Sequence, residues 1–122
     1  MSTHPFNGEP NGVSSSESEA CIEACNECAA LCECLEAFCT RAVENPELSR
    51  VAVLLKTCAD VCLLTARLIA RQSEFLKEYC ALCAEVCHTC HVECLKHAKT
   101  DGFSRCAEAC SIVDRACQQL AV

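Results

Sequence analysis

Tyr79-Cys80-Ala81-Leu82-Cys83-Ala84-Glu85-Val86-Cys87-His88-Thr89-Cys90-His91-Val92-Glu93-Cys94-Leu95-Lys96-His97 repeats cysteine at steps of three, four, three and four residues, and a histidine follows three residues later. At about 100° per residue the five thiols fall within roughly 80° of one helix face, with His97 at the edge of the row. A helix normally presents Leu, Ile and Val to a core at this spacing. This one presents sulfur, and the spacing predicts a helix whose buried face is lined with Cys80, Cys83, Cys87, Cys90 and Cys94.

The same pattern recurs on both sides of that stretch. Before it, Cys21, Cys25, Cys28, Cys32, Leu35 and Cys39 form one inward row on a helix running from about Ser16 to Val43, where Asn45-Pro46 breaks it. Ser16 and Glu19 form a capping box at its start. A second helix, from about Pro46 or Glu47 to Arg71, turns Val51, Leu54, Leu55, Cys58, Cys62, Thr65 and Ile69 to one side, with proline tolerated in the first turn. The third helix starts at Ser73 and reaches about Lys99; Asp101-Gly102 then separates it from a fourth that carries Cys106, Cys110, Val113, Cys117 and Leu120. Four helices with short connections predict an all-α, antiparallel up-down-up-down four-helix bundle with a Cys-lined core.

Residues 1–15 hold two of the three prolines, two of the three glycines and a serine run, so they read as a disordered N-terminal tail, with the bundle over 16–122. His4 in that tail is left outside the site. The chain, at 122 residues, is long enough for one compact core. A net charge of −7, with ten Lys and Arg against 17 acids, argues against nucleic acid. Residues 1–20 contain no apolar signal segment, and no run of 18 apolar residues could cross a membrane. The expected location is therefore the cytoplasm, where thiols stay reduced and a cysteine-rich pattern points to metal or redox chemistry.

Sixteen cysteines in 122 residues need a specific reason. Thiols four residues apart on one helix lean along the axis and are poorly aimed at one another for a disulfide. Cysteine as a small hydrophobe explains one or two positions, not a register shared by four helices. Zinc favours closed sets of four ligands, and iron–sulfur clusters favour compact sets on loops. Cu(I) is soft, selects thiolate and accepts two or three ligands. The pairs Cys21/Cys25, Cys28/Cys32, Cys58/Cys62, Cys83/Cys87, Cys90/Cys94 and Cys106/Cys110 have the spacing to close on one such ion. If each thiolate bridges two ions and each ion takes two thiolates, every Cu(I) cancels one negative charge, and a buried chain of multiple ions is close to neutral.

In these features the sequence resembles the bacterial copper storage proteins, specifically their cytosolic branch: four Cys-lined helices, repeated Cys-x-x-x-Cys pairs and no export signal, over roughly residues 17 to 122. The resemblance implies a bundle that assembles as a homotetramer and stores many Cu(I) ions inside each chain, with His or Met near a mouth. Carried over by position, the ligands are the inward cysteines named above, with His97 as the mouth residue and His91 on the flank as a second candidate. Two features depart from the pattern: the second helix carries only Cys58 and Cys62, and the chain has a single Met. Exchange partners of matching chemistry are copper chaperones or low-molecular-weight thiols.

The alternatives are a zinc-binding or thiol redox module. A further rival is a c-type haem protein, since Cys87-His88-Thr89-Cys90-His91 is a literal attachment signature; haem attachment takes place outside the cytoplasm and leaves fourteen cysteines without a role. Glu85 and His88 match a di-iron motif without a second copy. Cys34 lies about 150° from its row and is excluded from the ligands. No nucleophile–base pair marks an enzyme.

The antiparallel order also assigns the ends. Cys39, Cys94, His97 and Cys106, with Phe38 and Phe103 beside them, form the expected mouth; Ile22, Leu68, Ile69, Phe75, Leu76 and Leu120 form the expected plug. Val53, Leu63 and Leu64 point away from the second helix's inward row and provide apolar surface for assembly.

Overall fold

The computed structural model describes residues 15–42 and 44–122. The predicted tail and His4 lie outside the described residues, except that Ser15 already belongs to the first helix. Four helices follow in order: α1 (Ser15–Arg41), α2 (Pro46–Ala70), α3 (Leu76–Leu95) and α4 (Phe103–Ala121). Among the described residues there is no strand. Each helix lies alongside two others, α1 beside α2 and α4, α3 beside α2 and α4, and the diagonal pairs keep their backbones apart. This is the square antiparallel bundle predicted from the cysteine periodicity.

The α1–α2 link is built as its sequence indicates. Asn45 caps α2 by accepting hydrogen bonds through Oδ1 from the amides of Glu47 at 3.1 Å and Leu48 at 3.3 Å, with Pro46 in the first turn. At the other end of α2 the sequence misleads. Gln72 adopts φ 53°, and the amides of Gln72 and Ser73 turn back to the carbonyls of Ile69 and Leu68 at 3.1 and 3.0 Å. That is a left-handed helix stop of the kind glycine usually supplies. Ser73 is therefore spent in the link, its hydroxyl accepting from the Phe75 amide at 3.1 Å, and α3 begins three residues later than predicted. α3 also ends sooner, at Leu95, with tighter turns through His97 and Thr100. α1 is helical from Ser15 onward, with Ser16 within it.

Gly102 enters α4 at φ 91°, and a side chain there would begin 3.0 Å from Leu35 Cδ2. Both the left-handed backbone and the closeness of α1 require glycine.

The four faces of the square are not equivalent: α1 lies closer along α2, and α3 along α4, than either hairpin lies against the other. The helical wheel puts Ala29, Ala52, Ala59 and Ala66 on the α1–α2 side and Ala84 and Ala107 on the α3–α4 side, all buried. Small residues along these seams let the backbones approach. The wider α1–α4 and α2–α3 faces are where the sulfur sits.

Candidate metal centre

All sixteen cysteines are free; fifteen are buried, and the exposed one is Cys34, as its position on the wheel requires. The inward thiols are fully screened from solvent.

Their pairing differs from the sequence expectation in one respect. The shortest contacts run between helices, not along them. Across α1 and α4, Cys21–Cys117, Cys28–Cys110 and Cys32–Cys106 are each 3.6 Å apart. Across α2 and α3, Cys62–Cys87 is 3.5 Å, Cys58–Cys87 3.6 Å and Cys62–Cys83 3.9 Å. Of the six pairs proposed along single helices, Cys28–Cys32 and Cys90–Cys94 reach 4.0 Å. The reason is the shortness of the side chain: neighbouring cysteines on one helix lean the same way and keep their Cβ spacing, whereas facing helices aim their sulfurs at each other.

These contacts gather into groups whose sulfurs all lie within 4.8 Å of one another: Cys28, Cys32, Cys58 and Cys110; Cys28, Cys58, Cys62 and Cys87; Cys21, Cys25 and Cys117; and Cys25, Cys62 and Cys83. Three sulfurs around one ion at about 2.3 Å stand roughly 4.0 Å apart. Thiols at 3.5–4.0 Å thus accept a soft ion with small side-chain rotations and no movement of backbone.

Burial pushes the thiols up, toward the neutral form, while a hydrogen bond received from a neighbouring S–H pulls the receiving sulfur down. Cys21 is brought to about 4 by hydrogen bonds from Cys117 and Cys25 against the effect of burial. Its partner Cys117 is raised, first by its hydrogen bond with Cys21. Cys94 is likewise raised through Cys106 and Cys90, and Cys106 lowered through Cys110 and Cys32. Protons are thus shared within a dry sulfur array, and no Lys or Arg is among its buried residues.

At the predicted mouth, Cys94 meets Cys90 at 4.0 Å and Cys106 meets Cys32 at 3.6 Å. His97 follows in the turn after α3, its amide bonded to the Cys94 carbonyl at 3.0 Å. Its ring packs on buried Phe103 with centroids 5.3 Å apart, and its Nε2 is buried with no hydrogen-bond partner among the described residues. A buried imidazole nitrogen without a partner has the donor chemistry of a soft ligand. Cys39 is at the same end but makes no thiol contact among the described residues; burial and then Glu36 raise it. His91 lies in the α3–α4 seam, where its Nδ1 meets the Ala107 carbonyl at 2.8 Å and so carries the proton. That leaves only its Nε2 as a donor to metal. Thr65 stands where the α2 row would place a third thiol, and its hydroxyl is buried with no hydrogen-bond partner among the described residues. The sequence put Thr65 on the inward face but gave no sign of that orphaned oxygen.

At the opposite end Leu68, Ile69, Leu76 and Leu120 are buried and Ile22 half-buried, as predicted for the plug. Phe75 is not part of it: it precedes the first turn of the shortened α3 and is 55% exposed.

The copper storage protein family model matches residues 14–122. An uncharacterised cysteine-rich protein of Bacillus subtilis, YhjQ, is 39% identical over 104 residues, covering 85% of this chain and 95% of that one. The Cu(I)-bound copper storage protein Csp3 of the same species is 38% identical, with a TM-score of 0.75 over 87% of this chain and 99% of that one. A cytosolic copper storage protein from Streptomyces lividans, loaded with five coppers, is 32% identical, with a TM-score of 0.78 over 87% and 92% of the two chains.

Proposed function

The chain belongs to the copper storage protein family, and from that premise we propose that it sequesters many Cu(I) ions on the thiolates of its own core. The observation that carries this reading is the array of fifteen buried thiols, with sulfur–sulfur contacts of 3.5–3.9 Å running across the wider faces of the bundle. The ligands are Cys21, Cys25, Cys28, Cys32, Cys39, Cys58, Cys62, Cys80, Cys83, Cys87, Cys90, Cys94, Cys106, Cys110 and Cys117. The protein acts as a store and not as an enzyme: its core is filled by side chains that bind the cargo. No described helix is long and apolar enough to cross a membrane, and free thiols in this number suit the cytoplasm.

Anaerobic titration of the reduced chain against a chromophoric Cu(I) chelator tests the proposal. We expect uptake to saturate at about fifteen ions, one per bridging thiolate. Saturation near four, for Cu(I) and Zn(II) alike, would replace storage by discrete tetrahedral sites.

Copper passes through the end where α3 stops and α4 starts. His97, three residues after Cys94, offers there a buried Nε2 without a hydrogen-bond partner among the described residues, and an imidazole nitrogen hands Cu(I) on to thiolate. His91 is the second candidate through its Nε2. The His97→Ala chain should exchange copper with a chelator several-fold more slowly while holding the same load to within about one ion. Acceleration by Leu120→Ala, with His97→Ala unchanged, would move the route to the opposite end.

Assembly as a homotetramer completes the proposal. Val53 on α2 is 68% exposed and Leu64 is exposed beside half-buried Leu63, leaving apolar surface on an outer face. A mass of four chains is expected in solution at micromolar concentration; a monomer would contradict it. Copper chaperones and low-molecular-weight thiols are the exchange partners this chemistry fits.

A further inference from the structure

Two of the thiol groups share an edge. Cys28 and Cys58 belong both to the quartet with Cys32 and Cys110 and to the quartet with Cys62 and Cys87. All six sulfurs are buried. They come from all four helices, at the level where α2 contributes its two cysteines. We infer that this hexad is a binuclear site for divalent thiophilic ions such as Zn(II), with Cys28 and Cys58 bridging the two metals and two further thiolates closing each tetrahedron.

The distances support this directly. A tetrahedral ion with metal–sulfur bonds of about 2.3 Å holds its sulfurs about 3.8 Å apart. Within the first quartet Cys28–Cys110 is 3.6 Å and Cys28–Cys32 4.0 Å; within the second, Cys62–Cys87 is 3.5 Å and Cys58–Cys87 3.6 Å. Every remaining pair within each quartet is inside 4.8 Å. The two three-sulfur groups lack a fourth thiol within that limit and do not close a tetrahedron.

Charge limits what such an occupant can be. Two divalent ions displace six protons from six thiols, and the resulting cluster is doubly negative in a core without a cation. Bridged Cu(I) thiolate is close to neutral in the same place. Zinc is therefore a guest that copper evicts.

The test uses the full reduced chain under anaerobic conditions, titrated with Co(II) as an optical and magnetic probe and then with Zn(II). Uptake should break at two ions per chain, with the visible absorption of tetrahedral thiolate-bound cobalt. The magnetic moment per ion should fall as the second ion couples to the first through the shared sulfurs. Cys28→Ser should lose both ions, Cys110→Ser one, and Cys94→Ser neither; added Cu(I) should release all of the zinc. A break at any other number, a moment per ion that stays constant from one to two equivalents, or equal losses in Cys28→Ser and Cys110→Ser would each overturn the site. The magnetic measurement needs no variant, so a misfolded mutant leaves the inference testable. The Cu(I) titration is independent of it, so a chain that stores copper yet fails here separates this proposal from the storage reading.

Discussion

Saturation with Cu(I) is expected to abolish thermal unfolding below about 100 °C, while the reduced metal-free chain shows a helical spectrum and an ordinary cooperative melt. The metal-free state has its own core: Phe103, Leu55, Ile69, Leu120, Val51 and Val113 are fully buried, each worth roughly 1.5–3 kcal/mol relative to exposure. Neutral thiols sit among them without a charge penalty. Net stability of such a domain is about 5–15 kcal/mol. A ligand present at a thousand times its dissociation constant adds about 4.1 kcal/mol for each independent site. Four or five tightly held ions thus exceed the stability of the empty bundle. A gain of 1 kcal/mol moves the midpoint of a domain near this size by about 4–8 °C, so the loaded chain leaves the accessible range. Circular dichroism melts of the two states check this; a random coil without metal, or a midpoint that does not move on loading, would refute it.

Acid should empty the store. Thiolate is the ligand, and thiols raised by burial, Cys39 most simply and Cys94 through its neighbours, keep their protons until an ion replaces them. The loaded chain therefore holds fewer protons than the empty one, so loading is fully favoured at high pH and weakens as pH falls. For each ion that displaces one proton, a drop from pH 7.5 to 5.5 should weaken binding about a hundredfold, or about 2.7 kcal/mol. Positions whose sulfur is already lowered, such as Cys21 at about 4, should be the least affected and the last to empty. Competition with a chelator that does not itself titrate across this interval measures the effect, and a pH-independent load would contradict it.

The bundle was legible because cysteine acted as its own periodicity marker: a row at steps of three and four residues fixes a helix face as leucine would, with no ambiguity about which residues belong. The connections were less legible. Ser73 looked like a helix start, but Gln72 takes a left-handed conformation with none of the glycine that advertises such a stop, which shortened α3 and carried Phe75 out of the plug. Within the site, the wheel identified the inward thiols but could not say which sulfurs meet. That depends on helix spacing, and the alanine seams that bring α1 to α2 and α3 to α4 leave the sulfurs to span the other two faces. The zinc-like quartets were hidden for the same reason: each draws its members from three helices or more.

The ladder across α1 and α4 joins residues 96, 82 and 74 positions apart, whereas that across α2 and α3 joins residues 21 to 29 apart. On the ribosome the inner helices can therefore close their sulfurs against each other well before the fourth helix emerges, and the outer ladder forms only when α4 packs on α1. Nascent or truncated chains hold a partial store at most. Full capacity waits on the fourth helix, and a chain cut within α4 gives up the copper of that ladder while the inner one still stands.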